Sequence, residues 1–137
     1  MEMEIPMMMI QRSMVRGAAA VLLAATAMLA QAAQVAFSEP AFDKAVASGQ
    51  PVVLAVHASW CPTCKAQKPI MDALLHEPKR KDLTLFVADF DTEAALKKRL
   101  RIVQQSTFVV FKGGKEVGRS TGDTDRARIA ALFDKAL

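Results

Sequence analysis

The chain is predicted to fold as an α/β sandwich of three layers, with helices on both faces of a central mixed sheet. Three observations predict it. From about residue 34 onward, short β-branched apolar runs alternate with segments of helical periodicity. The last two strand-like runs are joined by Gly113-Gly114, a hairpin signal that sets an antiparallel half beside a parallel one. The length of 137 residues and the 52% hydrophobic content match one domain with one core.

The elements follow in order. Gln34 to Phe37 reads as a short edge strand. Ser38-Glu39-Pro40 opens a helix that runs to about Ala47, with Ser38 as N-cap and the proline in the first turn. Gly49 suits the left-handed position that ends it. Pro51 to His57 (PVVLAVH) reads as a strand buried on both faces. Cys61 to Leu75 is helical, with Ile70, Leu74 and Leu75 on one face and a kink expected at Pro69. Glu77-Pro78 stops it. Leu83 to Phe90 is a second central strand, and Thr92 is expected to cap a helix from Glu93 to about Leu100. Thr107 to Phe111 and Glu116 to Ser120 form the hairpin. Asp123 or Thr124 is expected to cap a last helix with Ile129, Leu132 and Phe133 inward. The order is β-α-β-α-β-α-β-β-α.

The N-terminal part differs in kind. Arg12 and Arg16 precede an uncharged apolar run of 13 residues, Gly17 to Leu29, and Ala30-Gln31-Ala32 follows. A basic region, a short apolar stretch and an A-x-A site make a secretory signal peptide over residues 1–32, cut after Ala32. The run is short for a membrane span, which needs about 20 apolar residues. The alternative is an uncleaved N-terminal anchor, the one route by which a membrane enters the reading. Glu2 and Glu4 are unusual in such a region, and a start at Met9 or Met14 would account for them. Both alternatives put the folded part, residues 33–137, outside the cytoplasm, with the periplasm as the expected location. The Met7-Met8-Met9 cluster lies in or before the signal and is discounted as a copper site.

The net charge of +4 is mild and its cations are dispersed. With no basic stripe and no stacking aromatics beside one, nucleic acid is not an expected partner.

Chemistry concentrates in Trp60-Cys61-Pro62-Thr63-Cys64-Lys65, which holds both cysteines of the chain. The pair sits where a strand turns into a helix. Cys61 falls at the helix N-terminus, where unpaired N–H groups and the macrodipole favour a thiolate. A lowered pKa makes it the attacking sulfur, and it is expected to be the more exposed and more acidic thiol. Cys64, one turn on, is placed to resolve a mixed disulfide. Pro62 fits a first turn that needs no N–H from it. Three other readings stand beside this one. A structural disulfide would close only a two-residue loop and constrain the unfolded chain little. Half of a zinc site needs two further ligands, and only His57 and His76 supply histidine. Two buried, unreactive cysteines are the third. His57 lies four residues before Cys61, where a histidine satisfied at a strand end competes with a proton-transfer role. Lys65 reads as a solvated cation.

From about Val35 to Leu137 the chain resembles the thioredoxin family. The resemblance rests on Ala58-Ser59-Trp60-Cys61-Pro62-Thr63-Cys64-Lys65, on Pro69 five residues on, and on Asp89-Phe90-Asp91. Thr107-Phe108-Val109-Val110-Phe111-Lys112-Gly113-Gly114-Lys115-Glu116 and Gly122 complete it. It implies the thioredoxin fold and a redox-active Cys61–Cys64 pair, with Cys61 as nucleophile and Cys64 as resolving thiol. Trp60, Pro62, Thr63 and Ser106 are the residues expected to bind substrate or shape the site. No cofactor and no resident metal are implied. Three departures stand out. The family's buried aspartate, six residues before the first cysteine, is Ala55 here, and the lysine often paired with it is Val87. The family's cis-proline is Ser106, which is expected beside the dithiol on a trans peptide bond. Its N–H and hydroxyl are expected to reach a sulfur and favour the Cys61 thiolate.

The resulting expectation is an exported thiol:disulfide oxidoreductase acting as a single chain on protein thiols and served by an upstream thiol partner. Exported relatives deliver electrons to apocytochrome thiols or to metallochaperones, so such routes are implied by the resemblance. The Pro-Thr dipeptide is neither the Gly-Pro of reducing thioredoxins nor the Pro-His of strong periplasmic oxidases, so direction is not set. The competing class is a periplasmic metal- or thiol-carrier using the same two cysteines, opened by the loss of the proline ring.

Overall fold

The computed structural model describes residues 31–137, so the basic and apolar parts of the predicted signal lie outside the described residues. The strands are β1 (Ala33–Ala36), β2 (Val52–His57), β3 (Thr84–Asp89), β4 (Thr107–Lys112) and β5 (Lys115–Thr121). The helices are α1 (Glu39–Ala47), α2 (Pro62–Leu75), α3 (Ala94–Leu100) and α4 (Arg126–Asp134), with one 3-10 turn over Pro78–Arg80. The sheet runs β1-β3-β2-β4-β5. β1 and β2 flank β3 in parallel, and β2-β4 and β4-β5 pair antiparallel.

Strand alternation sorts the core into two halves. Val53 and Ala55 of β2 face one way, with Leu85, Phe108 and Val110 beside them. Met71, Leu74 and Leu75 of α2 and Ile129, Leu132 and Phe133 of α4 cover that face. Val52, Leu54 and Val56 face the other way, under Phe42 and Ala45 of α1 and Leu96 of α3. β2 is therefore buried on both sides, as its unbroken apolar run predicts. Edge-to-face pairs stiffen both halves: Phe108 meets Phe133 at 5.2 Å, and Phe42 meets Phe111 at 5.4 Å. The three-layer arrangement is the one the element order predicts.

Local chemistry explains most boundaries. Gly113 and Gly114 take φ of 58° and 82°, so a two-residue loop of primed type joins β4 to β5. α2 continues across Pro69, which is exposed on its outer side. Two caps differ from expectation. α3 is entered through Glu93 rather than Thr92, and no side chain caps the helix; the Glu93 N–H donates to the Asp89 carbonyl at 3.0 Å. α4 is capped by Asp125, whose carboxylate accepts from the Arg128 N–H at 2.8 Å. Asp123 instead accepts from the Asp125 N–H at 2.9 Å, making the turn that leads into the cap. Ser38 occupies its predicted cap position without a side-chain bond.

The far end of α2 is fixed by Arg80, which is 0% exposed. Its guanidinium donates to Asp134 at 2.9 Å, to Glu77 at 2.6 Å and to the Leu74 carbonyl at 3.4 Å. The last turn of α2 is thereby tied to the end of α4. Removing the cation leaves two carboxylates facing a vacated interior. Arg80→Ala is expected to cost about 3 kcal/mol, the low end for breaking a buried ion pair because both carboxylates keep some contact with water. Urea denaturation measures it, and a midpoint equal to wild type would contradict the role assigned to this network.

Candidate active site

Cys61 is the N-cap of α2, and Pro62 is its first helical residue. An extended residue at that position turns its side chain back over the first turn, and here the Cys64 N–H donates to the Cys61 sulfur at 3.1 Å. The sulfur takes the place that a serine or aspartate oxygen fills in most N-caps. Cys64 lies one turn along on the buried face. Both cysteines are free thiols, packed with Ala58 and Phe90.

The two thiols differ in acidity but not in exposure. Cys61 is 2% exposed and Cys64 3%, so the expectation that Cys61 is the more exposed is corrected. Burial pushes the Cys61 thiol up. Hydrogen bonds from the Cys64 side chain and N–H, the Gln105 side chain and the Thr63 N–H outweigh it, and the net shift is downward. Burial also pushes Cys64 up, and there it wins. The hydrogen bond shared with Cys61 and the Cys61 charge add to the rise, against lowering contacts from the backbone of Ala58 and Ser106.

Ser106 adjoins the dithiol through its backbone, on a trans peptide bond. Its role differs from expectation in two respects. The backbone contact acts on Cys64 rather than Cys61, and the hydroxyl turns away to donate to the Gln105 carbonyl at 2.6 Å. Ser106 has φ of 56°, a left-handed conformation that costs a non-glycine residue roughly 1–2 kcal/mol. Proline is locked near −65° and cannot occupy this geometry. The serine therefore belongs to a differently built loop.

Three residues around the site have no role in the sequence pattern. Gln67, on the buried face of α2, donates through Nε2 to the Ser106 carbonyl at 3.2 Å and to the Asp123 carbonyl at 2.8 Å. The Gly122 N–H also donates to the Ser106 carbonyl, at 3.0 Å. Gln105 is the second. The signal for Gln67 was available: it interrupts the apolar face formed by Cys64, Met71 and Leu74, where a polar side chain must find buried partners. Asp91 is the third. It accepts from the Trp60 indole N–H at 2.8 Å and holds that ring, 55% exposed, at the rim of the site. Thr63 is half-buried beside the pair and Lys65 is exposed.

The neighbourhood of His57 differs from the reading of a histidine satisfied at a strand end. Its Nδ1 is buried without a protein hydrogen-bond partner, so it is not satisfied by the strand end. The ring lines a hollow of about 200 Å³ with Ser59, Val87, Ala88 and Asp89. Ala55 and Val87 pair directly across β2 and β3. The two positions where the family carries its charged pair are thus adjacent and apolar. Among the described residues, no group of three or more His, Cys, Asp or Glu side chains could hold a metal ion. Among the same residues no helix is long and apolar enough to cross a membrane.

Comparison with known proteins agrees with this geometry. The thioredoxin family model matches residues 33–135. The thioredoxin of Chlamydia trachomatis serovar D is 32% identical over 98 residues, covering 72% of this chain and 93% of the relative. The bifunctional thioredoxin reductase/thioredoxin of Mycobacterium leprae is 30% identical over 88 residues, and the chain spans only 19% of its length. Among solved structures, Trxlp from Edwardsiella tarda EIB202 superposes with a TM-score of 0.72 at 38% identity, covering 74% of this chain and 98% of that one. The Malassezia sympodialis thioredoxin, at 24% identity and a TM-score of 0.69, shows the shared fold alone. With its fold, its Cys61–Cys64 pair at a helix N-terminus and a family match running through nearly all of the described residues, the chain belongs to the thioredoxin family of thiol:disulfide oxidoreductases.

Proposed function

We propose that the chain is an exported thiol:disulfide oxidoreductase in which Cys61 attacks and Cys64 resolves. The observation that carries the assignment of roles is the opposed environment of the two sulfurs. Donors converge on Cys61 and lower its pKa, while burial and the Cys61 charge raise that of Cys64. In the reducing direction the Cys61 thiolate attacks one sulfur of a substrate disulfide, and the other substrate sulfur leaves and takes up a proton. Cys64 then gives up its proton and attacks the Cys61 sulfur, releasing the second substrate thiol. Two electrons pass to the substrate and the Cys61–Cys64 disulfide remains, to be reduced by an upstream dithiol. The same steps reversed oxidise a substrate dithiol. Trp60, Pro62 and Thr63 border the attacking sulfur and form the surface a substrate peptide meets.

The thiol that attacks and the thiol that resolves fail differently when removed. Cys61→Ser is expected to abolish insulin reduction by dithiothreitol-fed protein. Cys64→Ser is expected to accumulate disulfide-linked adducts with its substrates, visible as bands on non-reducing gels that collapse on reduction. Adducts formed by Cys61→Ser and absent from Cys64→Ser would reverse the assignment.

Export is supported by the basic, apolar and A-x-A pattern before residue 33, and by the start of both the family match and β1 at that residue. When the full chain is made in a bacterium, the expected product is a periplasmic protein whose N-terminal residue is Ala33. Intact-mass measurement of the fractionated protein reads this directly. Full-length protein in the cytoplasmic fraction would contradict export, and full-length protein in the membrane fraction would favour the anchor.

A further inference from the structure

We infer that Gln67 is a positioning residue for the dithiol: its side-chain amide, set between the Ser106 and Asp123 carbonyls, fixes the Gln105–Ser106 turn against both sulfurs. The inference rests on the reading of Cys61 and Cys64 as the reactive pair and names what holds that pair's surroundings in place.

Gln67 follows Cys64 by three residues and is 3% exposed. A buried amide is costly unless its hydrogens are used, and Nε2 has two. Both go to carbonyl oxygens, Asp123 at 2.8 Å and Ser106 at 3.2 Å. Because both partners are acceptors, only the orientation with nitrogen toward them satisfies the site. The Ser106 carbonyl also receives the Gly122 N–H at 3.0 Å, so both of its lone pairs are engaged.

The position clamped in this way is a strained one. Ser106 is buried with φ of 56°, and its hydroxyl is occupied by the Gln105 carbonyl. No proline ring fixes its conformation, so the carbonyl contacts hold it together with the hydroxyl's own bond. Once the carbonyl is held, the preceding peptide is oriented as well. The Ser106 backbone then acts on Cys64, and the Gln105 side chain on Cys61. The far side of the clamp is anchored too. The Asp123 carboxylate binds the Asp125 N–H and the Arg128 guanidinium, both at 2.9 Å, where α4 begins. Gln67 thus joins α2, the start of β4 and the start of α4 around the two sulfurs.

The test uses Gln67→Met, which keeps the volume and removes both donors. Cys61 is followed by its alkylation rate against pH in the reduced protein, with thermal unfolding as the check on the fold. A clamp lost to a folded variant is expected to raise the Cys61 midpoint, slowing alkylation at about pH 6 by about threefold or more. Gln67→Asn keeps the donors on a shorter arm that reaches one carbonyl, and is expected to fall between the two. A folded Gln67→Met protein with the wild-type profile would overturn the inference. Should the methionine variant not fold, the wild-type amide is read directly by NMR. Slow exchange of the Gln67 side-chain protons, and a shift of their resonances when Cys61 and Cys64 are oxidised, support the clamp. Free exchange in both redox states overturns it. A wild-type protein unable to reduce insulin would count against the functional reading alone, because alkylation and exchange report on the thiol and the amide themselves.

Discussion

A thiolate shut away from water persists only where hydrogen-bond donors replace the solvent, and the surroundings of Cys61 and Cys64 are organised by that requirement. Both sulfurs are almost wholly buried. Around Cys61 the first turn of α2 supplies N–H groups that have no intrahelical partner, and the loop before β4 supplies the Gln105 side chain. The strand-to-helix turn and the loop lie far apart in the sequence. Only the sheet, which sets β4 beside β2, brings them to the same place. The fold is in this sense the device that gathers donors on one sulfur.

The same requirement explains the asymmetry of the pair. Cys64 lies deeper in the helix, where its own N–H serves Cys61 and fewer donors face its sulfur. The directly paired Ala55 and Val87 present no ionisable group. The family's buried aspartate and its lysine are lost together, so neither leaves an unpartnered charge in the interior. In the reduced protein burial, the hydrogen bond shared with Cys61 and the Cys61 charge hold the proton on Cys64, against the lowering contacts from the Ala58 and Ser106 backbone.

Much of this was legible from residue pattern. The unbroken run Pro51 to His57 declares a strand covered on both faces, and Gly113-Gly114 declares the hairpin, because both signals are local. Cys61 at a strand-to-helix junction declares its N-cap position for the same reason. The Asp125 cap was less legible, since Asp123, Thr124 and Asp125 all suit a cap and tertiary contacts decide which one serves. The Ser106 loop was not legible. Its left-handed φ is held by Gln67 and Gly122, which are distant in sequence, and by a hydroxyl that turns to its own neighbour instead of a sulfur. A family pattern marks where the proline is missing and says nothing of what replaces it. Relative exposure of the two thiols is not legible for a related reason: helix position fixes the direction of the N–H groups, while exposure depends on tertiary packing, here against Ala58 and Phe90.

One sulfur of the pair is stabilised as a thiolate and its neighbour is not. Ultraviolet titration of thiolate absorbance in the reduced protein tests it most directly, with Cys61→Ser and Cys64→Ser titrated alongside. Because the two thiols interact, the wild-type steps belong to the pair, and the variants identify their origin. One ionisation below the ordinary thiol range and one above it are expected. The lower step should be lost in Cys61→Ser and kept in Cys64→Ser. Two thiols ionising together in the ordinary range, or a low step that survives in Cys61→Ser, would contradict it.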